Sequence, residues 1–221
     1  MSRIVVKVGG AVADASGEAV LALAEEHEVC VVHGAGPQIS LEMERAGIAV
    51  QFVDGRRVTS PAGLELVRAS LAAVNAALCA AIGERAVPLF GDEIGLQAEQ
   101  VPALGLVGDA VPSRPAAVVD ALDAGLIPVV APLAEGPLNV NADEAAAALA
   151  VGLGVDELLF LTDVDGLILN GSIVDEIGVD AASELLAGGT LQGGIIPKLG
   201  AAVTAARGGV AATIGRTAVA R

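Results

Sequence analysis

Residues 29–37 read Val-Cys-Val-Val-His-Gly-Ala-Gly-Pro, a β-branched run that passes through small residues into a proline. The run is typical of a buried strand, and Pro37 suits the first turn of a helix, where its missing N–H costs no hydrogen bond. The segment therefore predicts a strand, a tight turn and a helix whose positive end faces the turn. An anion cradle and a purely structural turn are both compatible with these residues.

The same order of elements recurs along the chain and predicts the fold class. Short β-branched runs alternate with alanine-rich stretches, a pattern typical of a parallel sheet covered by helices. We therefore expect an α/β fold with an open, mainly parallel sheet sandwiched by helices, in two lobes, 1–150 and 151–221. Strands are predicted over residues 4–8, 29–33, 87–90, 127–131, 157–162 and 210–214, and helices over residues 16–26, 37–46, 61–82, 114–124, 142–152 and 197–208.

The composition argues against several classes of partner and site. The net charge is −15 and the 221 residues include three Phe and no Tyr or Trp, so nucleic acid is not an expected partner. The first strand begins at once, which leaves no room for a signal peptide, and we expect no apolar run of membrane-spanning length. A cytoplasmic protein without a membrane partner is predicted. Cys30 and Cys79 are expected to be small buried hydrophobes, and the His and Cys spacing predicts no protein-built metal site.

Lysine is rare in this chain, which makes its positions informative. Of twelve basic residues only Lys7 and Lys198 are lysines, and each lies at the edge of a glycine-rich segment. A lysine presents a compact point charge, whereas an arginine presents a planar fork. Because ligands of open α/β sheets lie beyond the carboxyl ends of the strands, Lys7 at the end of the first strand is expected to meet an anion. Chance placement of the two lysines is the alternative.

Two polar segments supply further candidate binding groups. The segment at 54–59 reads Asp-Gly-Arg-Arg-Val-Thr. One of its arginines could bind a carboxylate through bidentate hydrogen bonds, or both could be solvated. In Leu-Asn-Val-Asn-Ala-Asp-Glu at 138–144, the period of two places Asn139 and Asn141 on one face. Two amides exceed the needs of a helix cap, so they are predicted to bind a ligand, while capping alone is the alternative. Asp143 could hold an ammonium group.

A dinucleotide-binding interpretation competes for the same glycines. Gly34 and Gly36 follow a strand, open a helix and precede Asp54 at about the interval of a dinucleotide fingerprint. The third glycine of that fingerprint is replaced by Ile39, which would obstruct close helix–strand packing. A nicotinamide-dependent oxidoreductase is therefore kept as the alternative from a different class.

Six segments of the chain stand out: Lys-Val-Gly-Gly at 7–10, His-Gly-Ala-Gly-Pro at 33–37, Gly-Arg-Arg-Val-Thr at 55–59, Asn-Val-Asn-Ala-Asp at 139–143, Asp-Val-Asp-Gly-Leu at 163–167 and Gly-Ile-Ile-Pro-Lys at 194–198. Taken together they resemble the amino-acid kinase family, in particular its members that act on N-acetyl-L-glutamate. The resemblance implies ATP-dependent phosphorylation of the side-chain carboxylate of N-acetyl-L-glutamate to an acyl phosphate, a step of L-arginine biosynthesis. It also implies that Mg²⁺ arrives on ATP and is not held in a protein cage.

The resemblance assigns roles to residues that match these motifs. It implies catalytic roles for Lys7, Lys198 and Asp143. It implies an N-terminal lobe that binds the amino-acid substrate through Ala35, Gly36, Arg57, Asn139 and Asn141. It implies binding of the nucleotide and its phosphates, mainly by the C-terminal lobe, through Gly9, Gly10, Asp163, Val164, Asp165, Gly166, Leu167, Ile168, Thr190, Leu191 and Gln192.

Three departures from the family pattern qualify these expectations. Ala35 replaces a usual glycine and is expected to narrow the substrate gap. The chain ends soon after Lys198, so a shortened nucleotide lobe is expected. No helical extension precedes the first strand, which in this family implies an arginine-insensitive homodimer.

Two alternatives stay open within the family. One is a kinase for amino acids carried on an acidic protein, which the charge of −15 disfavours. The other is a ligand-binding member without catalysis.

Overall fold

Strands and helices alternate along the chain, as the sequence pattern predicts. The computed structural model describes residues 1–9, 16–162 and 164–221. The strands are β1 (Ser2–Val8), β2 (His27–His33), β3 (Phe52–Val53), β4 (Arg56–Arg57), β5 (Ala86–Phe90), β6 (Ala98–Gln100), β7 (Val107–Ala110), β8 (Ile127–Ala131), β9 (Leu133–Ala134), β10 (Leu138–Val140), β11 (Glu157–Leu161), β12 (Ile168–Leu169), β13 (Ser172–Ile173), β14 (Glu176–Gly178), β15 (Ala211–Ile214) and β16 (Thr217–Ala220). The helices are α1 (Gly17–Leu23), α2 (Gly36–Arg45), α3 (Pro61–Ile82), α4 (Gly91–Ile94), α5 (Ala116–Asp123), α6 (Ala142–Leu153), α7 (Val179–Ala187) and α8 (Ile195–Arg207).

An eight-stranded sheet in the order β14-β16-β15-β11-β1-β2-β8-β5 forms the centre of the molecule. Its neighbours pair in parallel, except for the antiparallel pair β15–β16. The predicted α/β class with a mainly parallel sheet is confirmed. The sheet continues across the predicted lobe boundary, because β1 pairs with β11. The division into lobes 1–150 and 151–221 stays a prediction.

Helices cover both faces of this sheet. Side chains alternate between the two faces along each strand, so neighbouring residues of one strand contact different helices. Ile4, Val6 and Val8 of β1 pack with apolar residues of α1, α2 and α3. Val5 packs on the other face with α5, α6, α7 and α8. Lys7 has the parity of Val5, so its stem continues along the face that α6 covers. The alternation thus decides which helix the ammonium of Lys7 meets.

Smaller strands surround the carboxyl ends of the central sheet, and the sequence pattern does not predict them. One sheet has the order β6-β7-β10-β9, and a hairpin is formed by β3 and β4. These strands have two to four residues each, too few to show a period-two pattern. Helix α7 and strands β14 and β16 were also missed. The hairpin and β10 carry the arginines and asparagines of the two polar segments.

Helix α3 shows most clearly how local residues set element boundaries. Pro61 opens it, the Ser60 hydroxyl accepts a hydrogen bond from the Gly63 N–H (3.1 Å), and Gly83 ends it with a φ of +83°.

The expectation that no apolar run reaches membrane-spanning length is wrong by length and composition. Among the described residues α3 passes that test, with 22 residues and an 18-residue window whose mean hydropathy is 1.5. In the structure it packs on the central sheet, and most of its exposed positions are alanines.

Candidate functional site

A cavity of about 290 Å³ opens at the carboxyl ends of β1 and β2. Its walls come from the turn before α2, the β3–β4 hairpin, strand β10 and the first turns of α6 and α8. These elements are far apart in sequence and meet where the parallel strands end. The predicted site residues that line the cavity are Lys7, Gly9, Ala35, Gly36, Arg57, Asn139, Asn141, Asp143 and Lys198.

Two ammonium groups share one carboxylate in this cavity. The Nζ atom of Lys7 lies 2.7 Å from Oδ1 of Asp143, and the Nζ atom of Lys198 lies 3.7 Å from Oδ2. The three side chains are 7, 12 and 7% exposed for Lys7, Lys198 and Asp143. The group carries a net charge of +1 and lies at the positive ends of α6 and α8. The arrangement suits a strongly negative ligand.

Arg57 is a buried cation beside the same cavity. Its Nη2 atom donates to the carbonyl of Gly36 (3.0 Å) and to the hydroxyl of Ser40 (2.8 Å), and its guanidinium lies over the ring of Phe52 (4.6 Å). Burial lowers the pKa of Arg57 from its ordinary value. Among the described residues no carboxylate lies within 4 Å of it. A buried guanidinium held only by neutral groups is suited to an anionic ligand.

Arg56 has a different environment, although it neighbours Arg57 in sequence. Its Nε atom lies 3.0 Å from Glu144 and its Nη2 atom 2.8 Å from Asp109. Burial raises the pKa of Glu144, and the contact with Arg56 opposes that shift. Arg56 is thus engaged by protein carboxylates, and the structure separates the two arginines that the sequence presents as a pair.

Asn139 is oriented by a chain of hydrogen bonds. The Thr59 hydroxyl donates to the carbonyl of Arg57 (2.7 Å), so it accepts from the Nδ2 atom of Asn139 (3.0 Å). Both residues are buried. The amide orientation of Asn139 is therefore set by Thr59.

Asn141 performs the capping role that was the alternative interpretation of its segment. Its Oδ1 atom accepts from the N–H groups of Asp143 (2.8 Å) and Glu144 (3.3 Å), and its Nδ2 atom donates to the carbonyl of Gly55 (3.0 Å). The cap fixes the start of α6, and hence the position of Asp143. Asn141 also lines the cavity, so a direct contact with substrate stays a prediction.

The turn before α2 accommodates an alanine without strain. Ala35 has a φ of −142°, which any residue adopts, and its methyl group is buried with Ile39 and Met43 in the apolar core. At Gly36 an added Cβ would meet nothing within 4 Å. Whether Ala35 narrows the gap for substrate stays a prediction.

Most of the predicted nucleotide residues do not line the cavity. Gly10 and Asp163 fall outside the described residues. Gly9 lines the cavity, whereas residues 164–168 and 190–192 do not. Leu167 is buried, while Ile168, Thr190 and Gln192 are exposed.

The loop after β11 is joined to the β15–β16 turn by specific contacts. The Thr217 hydroxyl accepts from the N–H of Leu167 (2.8 Å) and donates to the carbonyl of Val174 (2.7 Å). Gly166 has a φ of +147°, and a Cβ there would lie 2.6 Å from the Thr217 oxygen. Only glycine fits this approach.

Sequence reasoning did not single out three buried polar residues that hydrogen-bond to segments carrying predicted site residues or to the end of β2. Thr59 and Thr217 are fully buried hydroxyls, and Asn75 is a buried amide on α3. Asn75 stands within an otherwise apolar stretch of α3, which was an available signal. The two threonines lie in short polar loops and give no comparable signal.

Comparisons with known proteins identify the family of this chain. Residues 2–215 match the amino acid kinase family. An acetylglutamate kinase from Nocardioides sp. strain JS614 is 45% identical over 202 residues, which cover 81% of this chain and 64% of that protein. The chain thus spans less than two thirds of the length of that relative. An acetylglutamate kinase from Rubrobacter xylanophilus is 42% identical over 224 residues, which cover 97% of this chain and 88% of that protein.

A solved structure has a fold similar to that of this chain. The crystal structure of smu.665 from Streptococcus mutans UA159 superposes with a TM-score of 0.86, covers 99% of this chain and 98% of its own, and is 27% identical. The family match and these relatives give no support to a nicotinamide-dependent oxidoreductase. The chain belongs to the amino acid kinase family.

Proposed function

We propose that this kinase transfers the γ-phosphoryl group of ATP to the side-chain carboxylate of N-acetyl-L-glutamate, giving an acyl phosphate and ADP. The names of the Nocardioides and Rubrobacter relatives support this substrate. The observation that carries the proposal is the charge arrangement of one cavity: Lys7 and Lys198 on Asp143, and Arg57 without a protein carboxylate among the described residues. Two anionic groups have to meet in this reaction, and the cavity provides cations for both.

Arg57 and Asn139 hold the acetylglutamate in this proposal. The fork of Arg57 binds the carboxylate that does not react, because a guanidinium bonds a carboxylate in a bidentate manner. Asn139, oriented by Thr59, contacts the same end of the substrate. The reactive carboxylate then lies by Ala35 and Gly36, at the positive end of α2. Asn141, which also lines the cavity, forms part of the wall around the acetylglutamate.

The lysines act on the transferring group. A carboxylate oxygen of the substrate attacks the γ-phosphorus, and the bond from phosphorus to the β,γ-bridging oxygen breaks as ADP leaves. No proton moves in this step, so no general base is needed. Catalysis depends on positioning and on stabilising the charge of the transferring oxygens. Lys7 and Lys198 supply that charge and Asp143 keeps them in place. Gly9, which lines the cavity and has no side chain, lets the phosphoryl oxygens approach the backbone after β1.

The nucleotide lies along the C-terminal lobe in this proposal. The loop 163–168 and the segment 190–192 contact it, with aliphatic side chains against the adenine. Magnesium neutralises phosphate charge when ATP binds, and Mg²⁺ commonly takes most of its ligands from phosphates and water. Among the described residues there is no group of three or more His, Cys, Asp or Glu that could hold a metal. We also propose the lobe division at residue 150, a homodimer and a cytoplasmic location.

Hydroxylamine trapping tests the proposed reaction. The protein is incubated with ATP, Mg²⁺, N-acetyl-L-glutamate and hydroxylamine, and we expect a hydroxamate to accumulate with ADP in equal amount. Reactions without magnesium, or with L-glutamate or N-acetyl-L-aspartate as acceptor, measure selectivity. Failure to form a hydroxamate from any acidic amino-acid derivative would contradict the kinase proposal. A hydroxamate that forms only from another acceptor, including a carrier-linked amino acid, would contradict the proposed substrate.

A further inference from the structure

His33 and Asn75 form a hydrogen-bonded pair in the apolar core, behind the candidate site. His33 is the last residue of β2 and is fully buried, and Asn75 of α3 is 1% exposed. The Nδ2 atom of Asn75 lies 3.0 Å from the Nε2 atom of His33. A buried polar pair costs free energy unless its hydrogen bonds are made, so its presence among apolar residues calls for an explanation.

The donors and acceptors around Asn75 define the protonation of His33. Nδ2 also donates to the carbonyl of Val129 (2.9 Å), and Oδ1 accepts from the thiol of Cys79 (3.5 Å). These partners set the orientation of the amide, so its Nδ2 also donates to His33. The Nε2 atom of His33 is then the acceptor and carries no proton. The ring is neutral with its proton on Nδ1, which lies 3.4 Å from the carbonyl of Gly34.

This pair adjoins the turn that lines the cavity. The N–H of Gly34 donates to the carbonyl of Val8 (3.0 Å), next to Lys7 in β1. Two residues later, the carbonyl of Gly36 accepts from Arg57 (3.0 Å). The turn is therefore tied at one end to the strand that carries Lys7 and at the other to the buried arginine. A change in the protonation of the His33 ring would act on Gly34, the first residue of this turn, whose carbonyl lies beside the Nδ1 atom.

We propose that Asn75 is a positioning residue that holds His33 in its neutral Nδ1–H form and thereby fixes residues 34–36 where the acyl acceptor binds. The inference rests on the proposed function for the identity of that acceptor. It assigns no contact with substrate to either side chain. Because both lie on the amino-acid side of the cavity, the pair affects acetylglutamate binding and leaves ATP binding unchanged.

The tautomer can be measured in the unmodified protein. The chain has only two histidines, His27 and His33, so the ring nitrogen signals in a ¹⁵N NMR spectrum can be assigned by comparison with His27→Gln. At neutral pH we expect His33 to show a protonated Nδ1 and an unprotonated Nε2. A protonated Nε2 would overturn the proposal, whatever the activity of the enzyme.

Kinetics separate positioning from stability alone. Asn75→Leu keeps the size of the side chain and removes the donor, and we expect the KM for acetylglutamate to rise about tenfold while the KM for ATP stays within about twofold. The double variant with His33→Leu is expected to be no worse than the more impaired single variant, because the two residues act through one contact. Ala76→Ser, at an exposed neighbour on α3, serves as the control.

The outcomes distinguish this inference from the proposed function. If wild-type protein forms no hydroxamate, the proposed function fails, while the tautomer measurement still decides the hydrogen-bonding claim. If wild-type protein is active and Asn75→Leu leaves the acetylglutamate KM unchanged, the positioning role is overturned. Equal increases in the two KM values, or effects that multiply in the double variant, would also overturn it.

Discussion

The Nζ atom of Lys7 lies 2.7 Å from Oδ1 of Asp143, and both side chains are 7% exposed. Lys198 approaches the other oxygen of the same carboxylate. Two ammonium groups this close would repel strongly in a weakly polar site, and the carboxylate between them offsets that repulsion. The result is a pair of point charges on one carboxylate, with a surplus of one positive charge. In the proposed function, two compact ammonium groups suit this arrangement better than planar guanidinium groups would.

Lys198→Arg tests whether a compact charge is required. The guanidinium keeps the charge but is planar and larger, so it cannot occupy the same position between Asp143 and the phosphoryl group. We expect kcat to fall about 100-fold or more, with an unchanged melting temperature. Arg207→Lys, at an exposed position of α8, is the matched control and should keep wild-type turnover. Near-normal turnover of Lys198→Arg would contradict the role of Lys198.

The central sheet was predictable because each of its main strands is a short β-branched run between helices. The prediction for α3 matches both of its ends, since Ser60, Pro61 and Gly83 are strong local signals. The hairpin at Phe52–Arg57 and strand β10 have no such signals. They exist through pairing with distant residues, as when Asn139 pairs with Val107 and Leu133. Propensity in a window of two or three residues cannot reveal that pairing.

Arg57→Lys tests the carboxylate clamp. Lysine lacks the fork that bonds Gly36 and Ser40 while facing the cavity, so we expect the KM for acetylglutamate to rise about tenfold or more and the KM for ATP to change little. Arg56→Lys is the paired control, because a lysine can still reach Glu144 or Asp109, and a much smaller effect is expected. Steady-state kinetics with each substrate varied in turn provide the measurement. A larger effect at Arg56 would reverse the assignment.

The candidate site was predictable in its residue types and only partly in their roles. The sequence presents Arg56 and Arg57, and likewise Asn139 and Asn141, as equivalent pairs. The structure distinguishes them by their neighbours: Arg56 meets carboxylates, and Asn141 caps α6. Those neighbours lie far away in sequence, so no local pattern could separate the members of each pair.

Thr217→Val tests the link between the loop after β11 and the last hairpin. Valine has nearly the same shape but no hydroxyl, so the N–H of Leu167 and the carbonyl of Val174 lose their partner. We expect a loss of about 2 kcal/mol in the free energy of unfolding, measured by urea titration. If residues 163–168 bind the nucleotide, the KM for ATP should rise as well. Thr217→Ser keeps the hydroxyl and should recover most of both losses, which would not happen if the methyl group alone mattered.

The burial of His33 predicts how stability depends on pH. Burial lowers the pKa of His33 from 6.5 to about 4, so the unfolded chain binds a proton at pH values where the folded protein does not. Stability from this residue is complete above about pH 6.5 and declines as the pH falls towards 4, by roughly 3 kcal/mol in total. The free energy of unfolding is measured by urea titration across this range for wild-type protein and His33→Gln. Because the many carboxylates affect both proteins alike, the difference between the two curves isolates His33. The stability of wild-type protein relative to the variant should decrease as the pH is lowered, and a constant difference would show that His33 is not held neutral in the folded state.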